Sequence, residues 1–256
     1  MPFYFKKRVF EAAAASSLFY GSETWLTDSL QKLIKSYNLL IKCLLGVRVN
    51  TSIHLCLAES GILPAQFLIA SKRKRFLMSK LSTPDREEPF NIVYEMCRAA
   101  NSPGYKFIEN ALSFNDQIDP LDNILSEIRN KPFSATKYVT YRNTLNPNLQ
   151  VHRLYTEKIY ISDHIRIAFS RLRLMSHSLR VETGRWSRTA PELRVCNCDS
   201  NTVQDEAHVL VNCPLSISCR HKYPNLDFES LSSILNDDVN VVDVCKYIYE
   251  VLRIYK

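Results

Sequence analysis

Four residues in the last third of the chain have the types and spacing of a metal site: Cys196, Cys198, His208 and Cys213, within RVCNCDSNTVQDEAHVLVNCP. Thiolates and a neutral imidazole are the ligands that zinc takes in a tetrahedron. Cys196 and Cys198 share a face only if their backbone is extended. His208 and Cys213, five residues apart, suit a helical turn that ends in a bend before Pro214. Four protein ligands leave the metal no open position, so the spacing predicts a structural zinc and not a catalytic one. The single residue between the first two cysteines is a tighter gap than zinc fingers use, which leaves Cys219 or His221 as alternative ligands. Three thiolates would leave the filled site at about −1, a charge that Arg194 and Arg220 are near enough in sequence to offset. Without a metal, the same residues read as buried thiols plus a surface histidine. The other four cysteines, Cys43, Cys56, Cys97 and Cys245, sit in apolar stretches and are expected to pack as small core residues.

Cations form the second chemical signal. Residues 1–81 carry 12 Lys and Arg against 4 Asp and Glu, and residues 151–195 carry 9 against 4, while the two intervening and following stretches are net acidic. Two groups stand out: Lys72, Arg73, Lys74 and Arg75 in one helical turn, and Arg180, Arg185, Trp186 and Arg188 around a single large aromatic. Such groups can grip backbone phosphates and stack a base, which makes RNA or DNA the expected partner. Solvated basic faces on a protein-interaction scaffold are the competing reading, as is Trp186 packed beneath a helix end.

Catalytic patterns are sparse. Asp237-Asp238 is an acidic pair without further carboxylates in a matching context, and Asp205-Glu206 precedes a histidine better used as a ligand. An enzyme built on the carboxylates near Asp205 or Asp237 is therefore the weakest reading, and no small-molecule substrate is expected. Glycine-rich phosphate loops, nucleophile elbows and metalloprotease helices are absent from the sequence. No window approaches the run of apolar residues that a membrane span needs. Glu11 interrupts what would otherwise imitate a secretory signal, so the expected setting is intracellular, nuclear or cytoplasmic, where thiols stay reduced.

The elements that must position these groups read as helices. Only 5 of 256 residues are glycine, which disfavours folds that depend on positive φ. Apolar residues at helical spacing predict helices over 6–20, 28–45, 51–61 and 65–80, with Thr27 or Asp28 capping the second and Gly21, Gly46 and Gly61 as stops. In the fourth, Phe67, Leu68, Phe76 and Leu77 are expected inward. Six prolines punctuate residues 82–150, leaving room for short helices such as 90–100 and 120–130. Asp163 opens a pattern with Ile165, Ala168, Phe169, Leu172, Ser176 and Leu179 inward, Arg166, Arg173, His177 and Arg180 on other sides, and Gly184 as its end. Residues 230–235 and 242–254 read as two helices with an acidic turn between them.

Two blocks of words carry a family resemblance. Val9-Phe10, Leu18 to Trp25 (LFYGSETW), Leu44 to Val47, Thr51 and Glu59-Ser60-Gly61 resemble the segment that follows the polymerase core of non-LTR (LINE-type) retrotransposon reverse transcriptases. Leu172-Arg173, His177, Leu179, Glu182 to Trp186, Arg194, Cys196, Cys198, Asp205-Glu206, His208, Cys213-Pro214 and Arg220 look like those proteins' C-terminal Cys/His region. Together the blocks cover roughly residues 1–81 and 165–222. The resemblance implies a thumb-like helical region over 1–81 and, within 151–222, a basic helix plus zinc knuckle; the Pro-punctuated 82–150 reads as a connector and 223–256 as C-terminal helices. It implies a piece that binds RNA or DNA. The family's fingers, palm and endonuclease would lie elsewhere, so no polymerase activity is expected of this piece. The overall expectation is a mainly α protein.

Overall fold

Most of the helices expected from apolar spacing form, and glycine or proline marks several of their ends. The computed structural model describes residues 1–24, 30–82, 89–198 and 201–255. Helix α1 (Phe3–Val9) passes through a π-helical stretch, Phe10–Ala15, into α2 (Ser16–Leu18). Then come α3 (Gln31–Leu45), α4 (Ile53–Ser60) and α5 (Ala65–Leu81). Gly21, Gly46 and Gly61 follow α2, α3 and α4 in the left-handed region, where a side chain would be strained. The caps expected at Thr27 or Asp28 lie outside the described residues. Next are α6 (Pro89–Ala99), α7 (Pro103–Leu112) and α8 (Pro120–Asn130), each opening on a proline. That position costs nothing, because the first turn has no partner for an N–H anyway. The Ser102 hydroxyl also caps α7, accepting from Tyr105 N–H at 3.2 Å.

Short elements follow: α9 (Thr136–Thr140), a π turn at Tyr141–Leu145, and α10 (Arg153–Thr156). Then come α11 (Asp163–Arg173), α12 (Arg180–Trp186), α13 (Ile217–His221), α14 (Leu231–Leu235) and α15 (Val241–Ile254). The fold is mainly helical. Among the described residues no strand forms, and the one β feature is an isolated antiparallel bridge between Val195 and Val203.

Two expectations for the region after Asp163 are corrected. The helix does not run to Leu179, because Met175 takes a φ of 48° and the Ser176 N–H turns back to the Arg171 carbonyl at 2.7 Å. This is the closure usually made with glycine. Gly184 is then not a helix end but lies within α12, buried, where a Cβ would stand 2.6 Å from the Arg194 side chain. Arg166, Arg173 and His177, which fall outside the apolar pattern, are buried all the same. They are 3%, 1% and 3% exposed, among the most buried polar groups of the protein.

The chain divides into two units, each discontinuous in sequence, and this division cuts across the segments 1–81, 82–150, 151–222 and 223–256. One unit comprises residues 9–39 and 63–123. Tyr37 is fully buried there, with Phe19 and Phe10 rings at 5.0 and 5.4 Å. Ala65, Ile69 and Leu77 are the buried positions of α5, whereas Phe67, Leu68 and Phe76 are only half-buried, Phe67 against Phe114 and Phe76 against Phe90.

The other unit comprises residues 1–8, 40–62 and 124–256. Its most extensive helix pair is α11 against α15, and Phe169 and Leu172 on one and Val244, Ile248 and Val251 on the other are buried. At its centre Arg173 pairs with Glu59 of α4, Nη2 to Oε2 being 3.2 Å, and donates from Nη1 to the Leu235 carbonyl of α14 at 2.9 Å. Tyr141 donates to the same carboxylate at 2.8 Å and accepts from Asn146 at 2.9 Å. Burial alone would lower the Arg173 pKa, but the charge and hydrogen bonds of Glu59 outweigh it and the net shift is upward. Cys56 and Cys245 are buried as expected, whereas Cys43 is exposed and Cys97 half-buried.

Removing one partner of a buried ion pair leaves the other charge uncompensated. Arg173→Met is therefore expected to cost about 3–5 kcal/mol in urea unfolding. Combined with Glu59→Gln, which removes the second charge and keeps an acceptor for Tyr141, it should cost less than alone.

His152 supplies a pH signature in the same core. Burial first, then the charges of Arg173 and Arg153, push its imidazole down to about 2. Its Nδ1 accepts from Leu154 N–H at 3.2 Å, and its ring lies 4.8 Å from that of Phe169. An unfolded histidine titrates near about 6.5, so the unfolded chain takes up a proton that the folded chain refuses. The contribution is complete above that pH and is lost progressively as pH falls below it. His152→Asn, which keeps an acceptor for Leu154, should flatten the fall in urea midpoint between about pH 7 and about pH 5 relative to wild type.

Candidate metal centre

Cys196, Cys198, His208 and Cys213 converge. Their ligand atoms all lie within 4.8 Å of one another, and all four residues are buried. The thiols of Cys196 and Cys213 stand 3.8 Å apart, and Cys198 Sγ stands 3.2 Å from His208 Nε2. Four tetrahedral metal–sulfur bonds of ~2.3 Å give edges of ~3.8 Å, so the gap suits two thiolates on one ion. It is far too long for a disulfide, and none of the eight cysteines is disulfide-bonded. The cluster can hold a metal ion.

Two local devices bring the ligands together. Around the Val195–Val203 bridge, Cys196 N–H donates to the Thr202 carbonyl at 2.7 Å and Gln204 N–H to the Arg194 carbonyl at 2.8 Å. That pairing extends the backbone at Cys196, which puts it and Cys198 on one side. His208 opens a π turn, His208–Asn212, and Cys213 N–H closes it on the His208 carbonyl at 2.7 Å. The five-residue spacing of these two ligands is the length of a π hydrogen bond. Asp205 caps the turn, its carboxylate accepting from His208 N–H at 2.8 Å.

Further contacts fix the ligands from behind. Arg220 donates to the Cys213 carbonyl at 3.1 Å and to the Ser216 hydroxyl at 2.9 Å, while Ser216 donates to the Val209 carbonyl at 2.7 Å. Tyr247 of α15 donates to the Leu210 carbonyl. Glu206 is buried and accepts from His177 Nε2 at 2.8 Å. Burial pushes the Glu206 carboxyl up, but its histidine partner prevails and the net shift is downward. Arg194 bonds to the Thr189 and Val181 carbonyls and braces α12 instead of facing the ligands. Cys219 is buried but outside the cluster, and His221 is exposed, so neither displaces one of the four. Of the acidic candidates, Asp205 serves as this cap. Asp237 accepts from the Val239 and Asn240 N–H groups, both at 2.9 Å, in the turn before α15.

The cations are placed unevenly. Lys72 donates to the Phe19 carbonyl, and Arg73 donates to the Ser22 carbonyl and lies over Phe107. Lys74 pairs with Asp116 at 2.7 Å, so within this run only Arg75 is exposed. Arg180 is exposed but bridges to the Val195 carbonyl at 2.7 Å and to Asn197 at 2.5 Å, tying α12 to the cysteine loop. Arg185 pairs with the buried Glu182, which Lys137 also neutralises. Trp186 is 44% exposed and carries the Arg48 guanidinium 3.8 Å from its ring centre. Arg188 is exposed. Arg48 is remote from Trp186 in sequence, and no pattern in the chain announces their pairing.

The chain matches no protein-family model, no curated protein and no solved structure.

Native mass spectrometry checks the ligand set. Wild-type protein should carry one metal ion, and Cys213→Ser should lose it together with several degrees of melting temperature. Cys219→Ser should keep both.

Proposed function

We propose that this chain is a non-catalytic nucleic-acid-binding segment of the kind that follows the polymerase core in non-LTR retrotransposon reverse transcriptases. Its Cys196, Cys198, His208 and Cys213 cluster holds zinc as a structural ion. The observation that carries the reading is the buried three-thiol, one-imidazole tetrad, with the exposed Trp186 presented by the helix that Arg180 ties to it. Zinc suits that donor set, and with four protein ligands it supplies folding energy and no reactive position. A small segment organised by a few turns and one β bridge needs such a staple.

The nucleic-acid surface is centred on Trp186, Arg188 and the cations around them. Trp186 offers a stacking platform, and the arginines offer charge to phosphates. Contacts of this kind position a polyanion without reading its bases, so binding should be weakly sequence-specific.

Fluorescence titration of the zinc-loaded protein with a single-stranded RNA, a DNA duplex and an RNA–DNA hybrid tests the proposal. Affinity for at least one should fall steeply between about 50 and about 200 mM salt. An absence of measurable binding at the lower salt would overturn it.

A further inference from the structure

A pocket of about 360 Å³ opens between α11 and α15, beside the turn that ends α11. It is lined by Arg48, Arg171 and Arg253 together with Ser176, His177 and Tyr249, among others. No carboxylate lines it. Acids nearby are already matched, Glu182 by Lys137 and Arg185, Glu206 by His177, and Glu250, whose charge is felt by Arg253, by Lys222. Among the described residues, none of the three arginines forms an ion pair.

Arg48 is held as an anion-binding arginine is held. Its backbone N–H donates to the Ser176 hydroxyl at 2.9 Å, and its guanidinium carbon lies over the Trp186 ring, 3.8 Å from the ring centre. Its Nη1 is buried and has no hydrogen-bond partner. A buried guanidinium nitrogen left without an acceptor costs free energy, and an anion is what would satisfy it. Burial and then the charge of Arg171 lower the Arg48 pKa, and the opposing pull of Glu182, itself shared between Lys137 and Arg185, does not offset them. Arg171 is fixed by donating from Nε to the Gly46 carbonyl at 2.7 Å, which leaves its terminal nitrogens for another acceptor. Arg253 leans on the Tyr249 ring from the last turn of α15.

We infer that this pocket is a phosphate-binding site, in which Arg48, Arg171 and Arg253 converge on one backbone phosphate of the bound nucleic acid. The assignment rests on the nucleic-acid reading above and gives it an anchor that the two runs of basic sequence do not supply. Trp186, stacked on Arg48, places an aromatic face beside the phosphate for a neighbouring base. Arginine suits the task because its planar fork pairs with two phosphate oxygens at once.

The test uses full-length, metal-loaded protein and the variants Arg48→Gln, Arg253→Gln and their combination, with Arg75→Gln as a control outside the pocket. Circular dichroism melting verifies that each is folded. Two probes are applied, the tightest-binding nucleic acid from the salt titration and inorganic pyrophosphate, the latter followed by thermal shift and as a competitor. Each pocket substitution should weaken nucleic-acid binding several-fold and reduce the slope of log affinity on log salt by about one. Arg75→Gln should do less, and pyrophosphate should stabilise wild type but not the double variant. If the folded double variant binds nucleic acid with unchanged affinity and slope, the pocket assignment is wrong while the nucleic-acid reading stands. If wild type binds no nucleic acid but pyrophosphate stabilises it in a manner dependent on Arg48 and Arg253, the phosphate site stands and the nucleic-acid reading falls.

Discussion

The ion pair between Arg173 and Glu59 is the constraint on which the larger unit depends. Arg173 is 1% exposed and Glu59 0%, at the junction of α4, α11 and α14 with the Tyr141 turn. Two charges so far from water repay their desolvation only if every donor and acceptor is met, and here the carboxylate takes Arg173 and Tyr141 while the guanidinium also reaches Leu235. A hydrophobic core of the same size could be as stable. What the pair adds is a set of directional bonds that tie α4, α11, α14 and the Tyr141 turn to one another.

A related economy governs the other cations. Lys7 donates to the Ser60 and Gly61 carbonyls at the end of α4, and Arg166 and Arg171 to Leu45 and Gly46 at the end of α3. Arg142 closes α8 through the carbonyls of Ile128, Arg129 and Lys131, and Lys72 reaches Phe19 beyond α2. Helix C-termini expose carbonyls and a partial negative charge, so a chain of many short helices uses cations as fasteners. Much of the charge excess of residues 1–81 is therefore directed inward. Net charge along a sequence does not separate cations that hold helix ends from cations that face a ligand.

This explains what was legible in the sequence and what was not. Apolar spacing located most helices, because a buried stripe leaves a period that local residues alone reveal. Left-handed glycines at 21, 46 and 61 marked real ends, but the same logic failed at Gly184 and missed Met175, since a stop is set by backbone φ and not by residue type. The metal ligands were legible because they lie within 18 residues, so that their spacing carries the geometry. The burial of Arg173 and His177 was not legible, because their partners, Glu59 and Glu206, are fixed by tertiary packing that no period records. The pocket was invisible for the same reason, since Arg48, Arg171 and Arg253 come from three distant parts of the chain.

The metal centre and the pocket are joined by His177. Its Nδ1 accepts from Leu179 N–H, so Nε2 carries the proton and donates to Glu206, two residues before the ligand His208. The same residue lines the pocket, on the turn whose Ser176 holds the Arg48 backbone. The ligand-bearing segment and the arginine cluster therefore share one wall, built from a turn with a left-handed methionine instead of a regular helix. Had α11 continued to Leu179, as its apolar spacing suggests, Ser176 and His177 would have had helical backbone directions different from those that meet Arg48 and Glu206 here. The irregular turn is what brings the two sites into one body, and its strain is offset by the hydrogen bonds it makes possible on both sides.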